Sequence, residues 1–160
     1  MSSSEPAALP VPPDPRVRDA SLAELDPATL YRILALRGDV FVVEQNCVYA
    51  DLDGRDLEPS ARQLWIENDG AVLATLRLVV DADGAVRIGR VATAATARGS
   101  GLAARLMQRA LALAGDREVG LDAQAYLLQW YERFGFVRDG ADYDEDGIPH
   151  VPMRLARAST

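Results

Sequence analysis

The sequence predicts a single mixed α/β domain, a central twisted sheet of parallel and antiparallel strands flanked by helices. Three observations predict it. The chain has 160 residues, 49 % hydrophobic and 26 % charged, enough for one buried core without covalent staples. Its middle carries hairpin signals: short apolar runs separated by Asn68-Asp69-Gly70 and Asp81-Ala82-Asp83-Gly84. Its second half alternates strand and helix patterns, which requires a crossover between strands.

Residues 1–15 hold five of the nine prolines together with Ser2, Ser3 and Ser4, and read as a disordered leader. They show no basic region followed by an apolar run, so they do not read as a secretory signal. Residues 16–160 read as the single domain.

A helix starts at Asp26-Pro27, an N-cap followed by proline in the first helical position. Leu30, Ile33, Leu34 and Arg37 follow at helical spacing, and after Gly38 the run Val40-Phe41-Val42-Val43 is expected to leave the helix. Cys47 to Glu58, rich in aspartate, reads as an exposed loop. Gln63 to Ile66 and Ala71 to Val80 form the hairpin, and Val86 to Val91 the next strand.

An amphipathic helix runs from about Gly101 to Ala114 with Leu102, Leu106, Ala110 and Leu113 on its apolar face. Gly115-Asp116 ends it. Val119 to Asp122 is a strand, Ala125 to Phe134 a helix, and Gly135 to Val137 the start of a strand. Asp142 to Gly147 reads as an acidic loop with a solvated face, and Val151 to Leu155 as the last strand.

Composition excludes several classes. The net charge of −7 argues against nucleic acid or an anionic membrane surface as partner and is compatible with a cationic amine. All 17 basic residues are arginine, which rules out Schiff-base lysine chemistry and the phosphate loop that needs lysine. The single Cys47 excludes an intrachain disulfide and reads as a small buried hydrophobe ahead of a nucleophile. No metal site is expected, and the expected location is the cytoplasm. A homodimer is compatible with the sequence.

In Val91 to Ala103 a strand ends, small residues form a loop, and a helix begins among Gly99, Ser100 and Gly101. The first N–H groups of a helix lack internal partners, so such a turn is an anion site. The dinucleotide fingerprint fails, because Ala104 stands where it needs a third glycine. A Gly-rich turn leading into a core helix is the competing reading of this stretch taken alone.

Arg98-Gly99-Ser100-Gly101-Leu102-Ala103 resembles the acyl-CoA pyrophosphate loop of the GNAT N-acetyltransferases, whose pattern is Arg/Gln-x-x-Gly-x-Gly/Ala. Tyr131-Glu132-Arg133-Phe134-Gly135-Phe136 resembles the second motif of that superfamily, at a spacing of 33 residues that fits helix, strand and helix. Leu36 to Gln45, Cys47, Tyr49, Asp51 to Gly54 and Tyr143 to His150 resemble the ElaA-like branch. The resemblance covers about residues 22–156.

It implies a GNAT-like fold and transfer of an acetyl group from acetyl-CoA to a small-molecule or peptide amine in a ternary complex. It implies that the amides of Gly99, Ser100, Gly101, Leu102 and Ala103, in the loop that opens with Arg98, hold the pyrophosphate. The backbone of Val91 and Thr93 would take the pantetheine arm. Many relatives have proline at the position of Thr93 and asparagine at that of Gln124, a cofactor contact. Tyr131 falls beside the thiol, where a phenol suits the acid role toward a departing thiolate. The base is Glu44, His150 or a water held by either. Two other readings stay open: a non-catalytic acyl-CoA-binding or sensing domain, and a synthase of acylated signals.

Overall fold

The computed structural model describes residues 11–156. Residues 1–10 of the expected leader, and 157–160, lie outside the described residues. From residue 11 the chain already runs against the domain. Pro15 is buried, and its carbonyl accepts a hydrogen bond from Arg105 Nη1 at 3.3 Å.

Among the described residues eight strands form one mixed sheet: β1 (Arg18–Ala20), β2 (Arg62–Asn68), β3 (Ala71–Val80), β4 (Val86–Thr93), β5 (Val119–Gln124), β6 (Val137–Arg138), β7 (Tyr143–Glu145) and β8 (Ile148–Leu155). Their spatial order is β1-β2-β3-β4-β5-β8-β6, with β7 also on β8. Among the described strands β4 and β5 alone pair in parallel, as the crossover through the intervening helix demands. That helix, α2 (Leu102–Ala114), lays Leu102, Leu106, Met107, Ala110 and Ala114 against Leu76, Leu78, Val86 and Ile88. On the opposite face α1 (Pro27–Gly38) buries Ile33 and Leu36 against Trp65, Val72 and Ala92. Asp26 caps α1 by accepting from the Thr29 amide at 3.1 Å.

Four expectations need correction. The run Val40 to Val43 does not leave the helix: the chain widens into a π-type turn, Asp39–Glu44, with Val40 still in the core. Cys47 to Glu58 is not a freely solvated loop, because its aspartates turn inward onto buried arginines. The helix over 125–134 is shorter, a 3₁₀ turn Ala125–Leu127 followed by α3 (Leu128–Glu132). The acidic stretch from Asp142 stays exposed but zips onto β8 as β7, around a turn with Asp146 and Gly147 at positive φ.

Candidate functional site

The site begins where β4 and β5 part. Parallel pairing is confined to Val86 with Val119 and Arg87 with Gly120. Past that point β5 pairs only with β8, ending at Gln124 opposite His150. β4 bends away through a bulge: Thr75 faces Ala92 and Arg77 faces Gly89, so Arg90 and Val91 together stand against one β3 residue. Arg90 adopts φ 54°, the left-handed conformation that an extra strand residue needs here. The Ala94 N–H donates to Leu73 O, so the alternation along β4 turns the backbone groups of Thr93 toward the gap. The Thr93 carbonyl accepts from Arg98 Nε at 3.2 Å. A cleft of about 670 Å³ opens between the parted strands.

The cleft ends at the loop before α2. Gly99 and Gly101 sit at φ 82° and 76°, and a Cβ on either would meet nothing within 4 Å. Backbone conformation, then, and not crowding, selects glycine here. The first helical bond of α2 runs from Arg105 N to Gly101 O, so the amides of Leu102, Ala103 and Ala104 have no partner within the helix. This is the donor set an anionic pyrophosphate needs. Arg98 and Ala103 line the cleft; Gly99, Ser100 and Gly101, the exposed lip between them in the chain, are not among its lining residues, and the Leu102 side chain packs in the core.

Tyr131 projects from α3 into the same cleft and is 6 % exposed. Trp130 meets it edge-on at 4.9 Å and Phe136 at 6.4 Å, which fixes the ring. Burial, with a smaller contribution from Tyr126, pushes its hydroxyl well above the usual phenol range. At neutral pH it is a protonated donor in a dry setting.

Glu44, Gln45 and Cys47 wall the cleft from the end of the π-type turn onward, and Ile148 and His150 close it from β8. Glu44 Oε2 lies 2.6 Å from Arg98 Nη2. Gln124 Oε1 accepts from Gln45 Nε2 at 3.3 Å, so the side chain expected on the cofactor also bridges to this wall. The Cys47 thiol donates to Asp146 O at 3.4 Å, tying together the two segments that mark the branch. His150 Nδ1 is 2.8 Å from Ile148 O. A carbonyl only accepts, so Nδ1 is the donor in this contact, and in the neutral imidazole the lone pair is on Nε2. Tyr143 stacks on the imidazole at 5.7 Å. Val91 and Thr93 lie on the lining as well.

Sequence reasoning missed the arginine–aspartate network behind this wall. Arg37 is fully buried; its Nε donates to Asp51 Oδ2 at 3.0 Å and its Nη1 to Asp56 Oδ1 at 2.7 Å. Asp51 also takes Arg90 Nε at 2.8 Å and the Tyr49 hydroxyl at 2.9 Å. The network therefore anchors the 47–58 segment directly to the β4 bulge. The signal was present, since Arg37 falls on the apolar spacing of α1. Among the described residues no group of three or more His, Cys, Asp or Glu side chains could hold a metal ion. No described helix is long and apolar enough to cross a membrane.

Residues 40–157 match the family model described as an acetyltransferase (GNAT) domain. The UPF0039 protein Rv2851c of Mycobacterium tuberculosis is 52 % identical over 81 % of this chain and 86 % of its own. ElaA of Escherichia coli is 39 % identical over 85 % of this chain and 93 % of its own. The crystal structure of ElaA matches with a TM-score of 0.83. An acyl-CoA N-acyltransferase from Pseudomonas aeruginosa matches at 44 % identity with a TM-score of 0.84, over 89 % of this chain and all of that one. Acyl-CoA use comes with this fold. The chain belongs to the GNAT acyltransferase family, in its ElaA-like branch.

Proposed function

We propose that the protein transfers an acetyl group from acetyl-CoA to a primary amine of a small molecule or peptide by direct attack within a ternary complex. One observation carries the reading: a buried, protonated Tyr131 faces the same cleft as the unpaired edge of β4, with an anion-binding turn at its mouth. The amides at the α2 N-terminus bind the pyrophosphate, and the backbone of Val91 and Thr93 that β5 leaves unpaired aligns the pantetheine arm and polarises the thioester carbonyl through its N–H groups.

The ammonium form of the amine gives one proton to His150 Nε2, to Glu44, or to a water that either holds, and the freed lone pair bonds to the thioester carbon. As the carbon–sulfur bond breaks, Tyr131 delivers its proton to the sulfur. The nitrogen's remaining extra proton passes through solvent to the phenolate, leaving a neutral amide, the free CoA thiol and a protonated Tyr131. Much of the rate comes from holding the two reactants together.

The test is thiol release from acetyl-CoA against a panel of amines, polyamines and peptides, with the acetylated product identified by mass spectrometry. Amine-dependent release supports the reading. Tight acetyl-CoA binding without turnover on any amine would make the protein a binding domain.

A further inference from the structure

Gly89 sits in mid-strand on β4, where neither backbone conformation nor crowding calls for glycine. It is absent from the positive-φ glycines, and a Cβ built on it meets nothing within 4 Å. Gly120, two strand positions away across the parallel pair, differs: a Cβ there would touch Arg87 Nη2 and Met153 O, each at 3.8 Å. Glycine in a strand interior marks a bulge or a place that another group approaches closely; the bulge beside Gly89 takes its positive φ at Arg90 and makes no conformational demand on Gly89, which leaves the approach of another group.

The position of Gly89 says which group. Val86 and Ile88 face α2 and are buried, so Gly89 opens on the opposite face, beneath the 47–58 segment, and lines the cleft. It lies two residues past Arg87, where β4 and β5 stop pairing. It lies four residues short of Thr93 across the bulge; Gly89 faces Arg77 and Thr93 faces Ala74, three β3 residues apart, so the separation is about 10 Å. The pyrophosphate lip lies beyond Thr93, so Gly89 is at the far end of the cleft from it. The arginines on this face are already paired, Arg77 with Asp53 and Asp56 and Arg87 with Asp81 and Asp122. What the face offers is room.

We infer that Gly89 is a specificity-determining residue: its missing side chain is the space into which the acceptor's substituent extends. The inference rests on the acetyl-transfer reading above and adds the size class of the acceptor, amines whose carbon chain continues well beyond the nitrogen.

The experiment compares wild type, Gly89→Ala and Gly89→Val with acetyl-CoA and methylamine, propylamine, spermidine and a lysine-containing peptide. Both variants should bind acetyl-CoA within about twofold of wild type, since the pyrophosphate lip is remote. For the largest amine used by wild type, kcat/KM relative to the smallest should fall at least tenfold in Gly89→Val, the scale of one or two misplaced carbons, and less in Gly89→Ala. The melting temperature of Gly89→Ala should equal or exceed that of wild type, the opposite of a glycine kept for structure. An unchanged preference in Gly89→Ala and Gly89→Val overturns the assignment alone. If Gly89→Val does not fold, the preference of Gly89→Ala decides. Absence of transfer to any amine in wild type overturns the acetyl-transfer reading and this assignment with it.

Discussion

Glu44 and Arg98, 54 positions apart in the chain, meet at the cleft mouth with Oε2 and Nη2 at 2.6 Å. The carboxylate holds the guanidinium that opens the glycine lip and raises its pKa. Both side chains are close to half exposed, so the pair contributes at most about 1 kcal/mol. On the proposed function, a phosphate arriving beside Arg98 displaces this weak pair and frees Glu44 for the acceptor.

Glu44→Gln keeps the shape and removes the charge. Calorimetry should show the acetyl-CoA dissociation constant changed by no more than about fivefold, the scale of an exposed pair. Amine kcat/KM should fall by more than that. Amine kinetics within about twofold of wild type would take Glu44 out of both acceptor binding and proton transfer.

Gly101→Asp brings a carboxylate to the lip, where the added side chain meets open space and the φ of 76° is one that aspartate tolerates better than most residues. CoA affinity should drop at least tenfold, about 1.4 kcal/mol, in a variant whose circular dichroism still shows the fold. Unchanged affinity in the folded variant rules out the pyrophosphate site.

Tyr131→Phe leaves the ring against Trp130 and Phe136 and deletes only the hydroxyl. A loss of about 10²-fold in kcat, with the KM for acetyl-CoA little altered, is the signature of a lost general acid. Burial holds the hydroxyl protonated beyond the ordinary phenol pKa of about 10, so kcat should show no descending limb from this group below that pH. A normal kcat, with chemistry shown to limit the rate, contradicts the assignment.

The arginine–aspartate network sets an acid limit. Burial pushes the Asp53 carboxyl up, but hydrogen bonds from Arg77 and the Arg55 amide and the charges of Arg77 and Arg90 more than offset it, holding the pKa at about 2 against an ordinary 3.8. Asp56 is likewise held low, its burial outweighed by Arg37 above all. A depressed folded pKa means that the unfolded chain binds more protons through this range. The stabilisation is therefore complete above about pH 4 and fades toward pH 2. Urea midpoints should hold steady from pH 7 to 5 with respect to these groups and then fall, less steeply in Arg77→Gln. A midpoint that stays flat down to pH 2 contradicts this.

Much of the fold was legible because local chemistry agreed with the tertiary outcome. The Asp26 cap, the Asn68-Asp69-Gly70 turn and the α2 stripe of Leu102, Leu106 and Ala110 all stand as read. The glycine lip was legible for the same reason, since a φ that only glycine adopts freely leaves a mark in sequence. Arg37 was harder: a charge at a core position is explained only by Asp51 and Asp56, 14 and 19 residues away. The Arg90 bulge and the parting of β4 from β5 depend on strand pairing, which periodicity does not encode. Gly89 reads in sequence as an unremarkable strand glycine until the cleft beside it is known.

The most direct measurement is a crystal structure with CoA bound. The expected result has pyrophosphate oxygens within about 3.2 Å of amide nitrogens between Gly99 and Ala103, and the sulfur within about 3.5 Å of the Tyr131 hydroxyl or one water away. A pyrophosphate seated elsewhere, or a sulfur more than about 10 Å from that hydroxyl, beyond the reach of any single bridging water, would contradict the assignment of this cleft to acyl transfer.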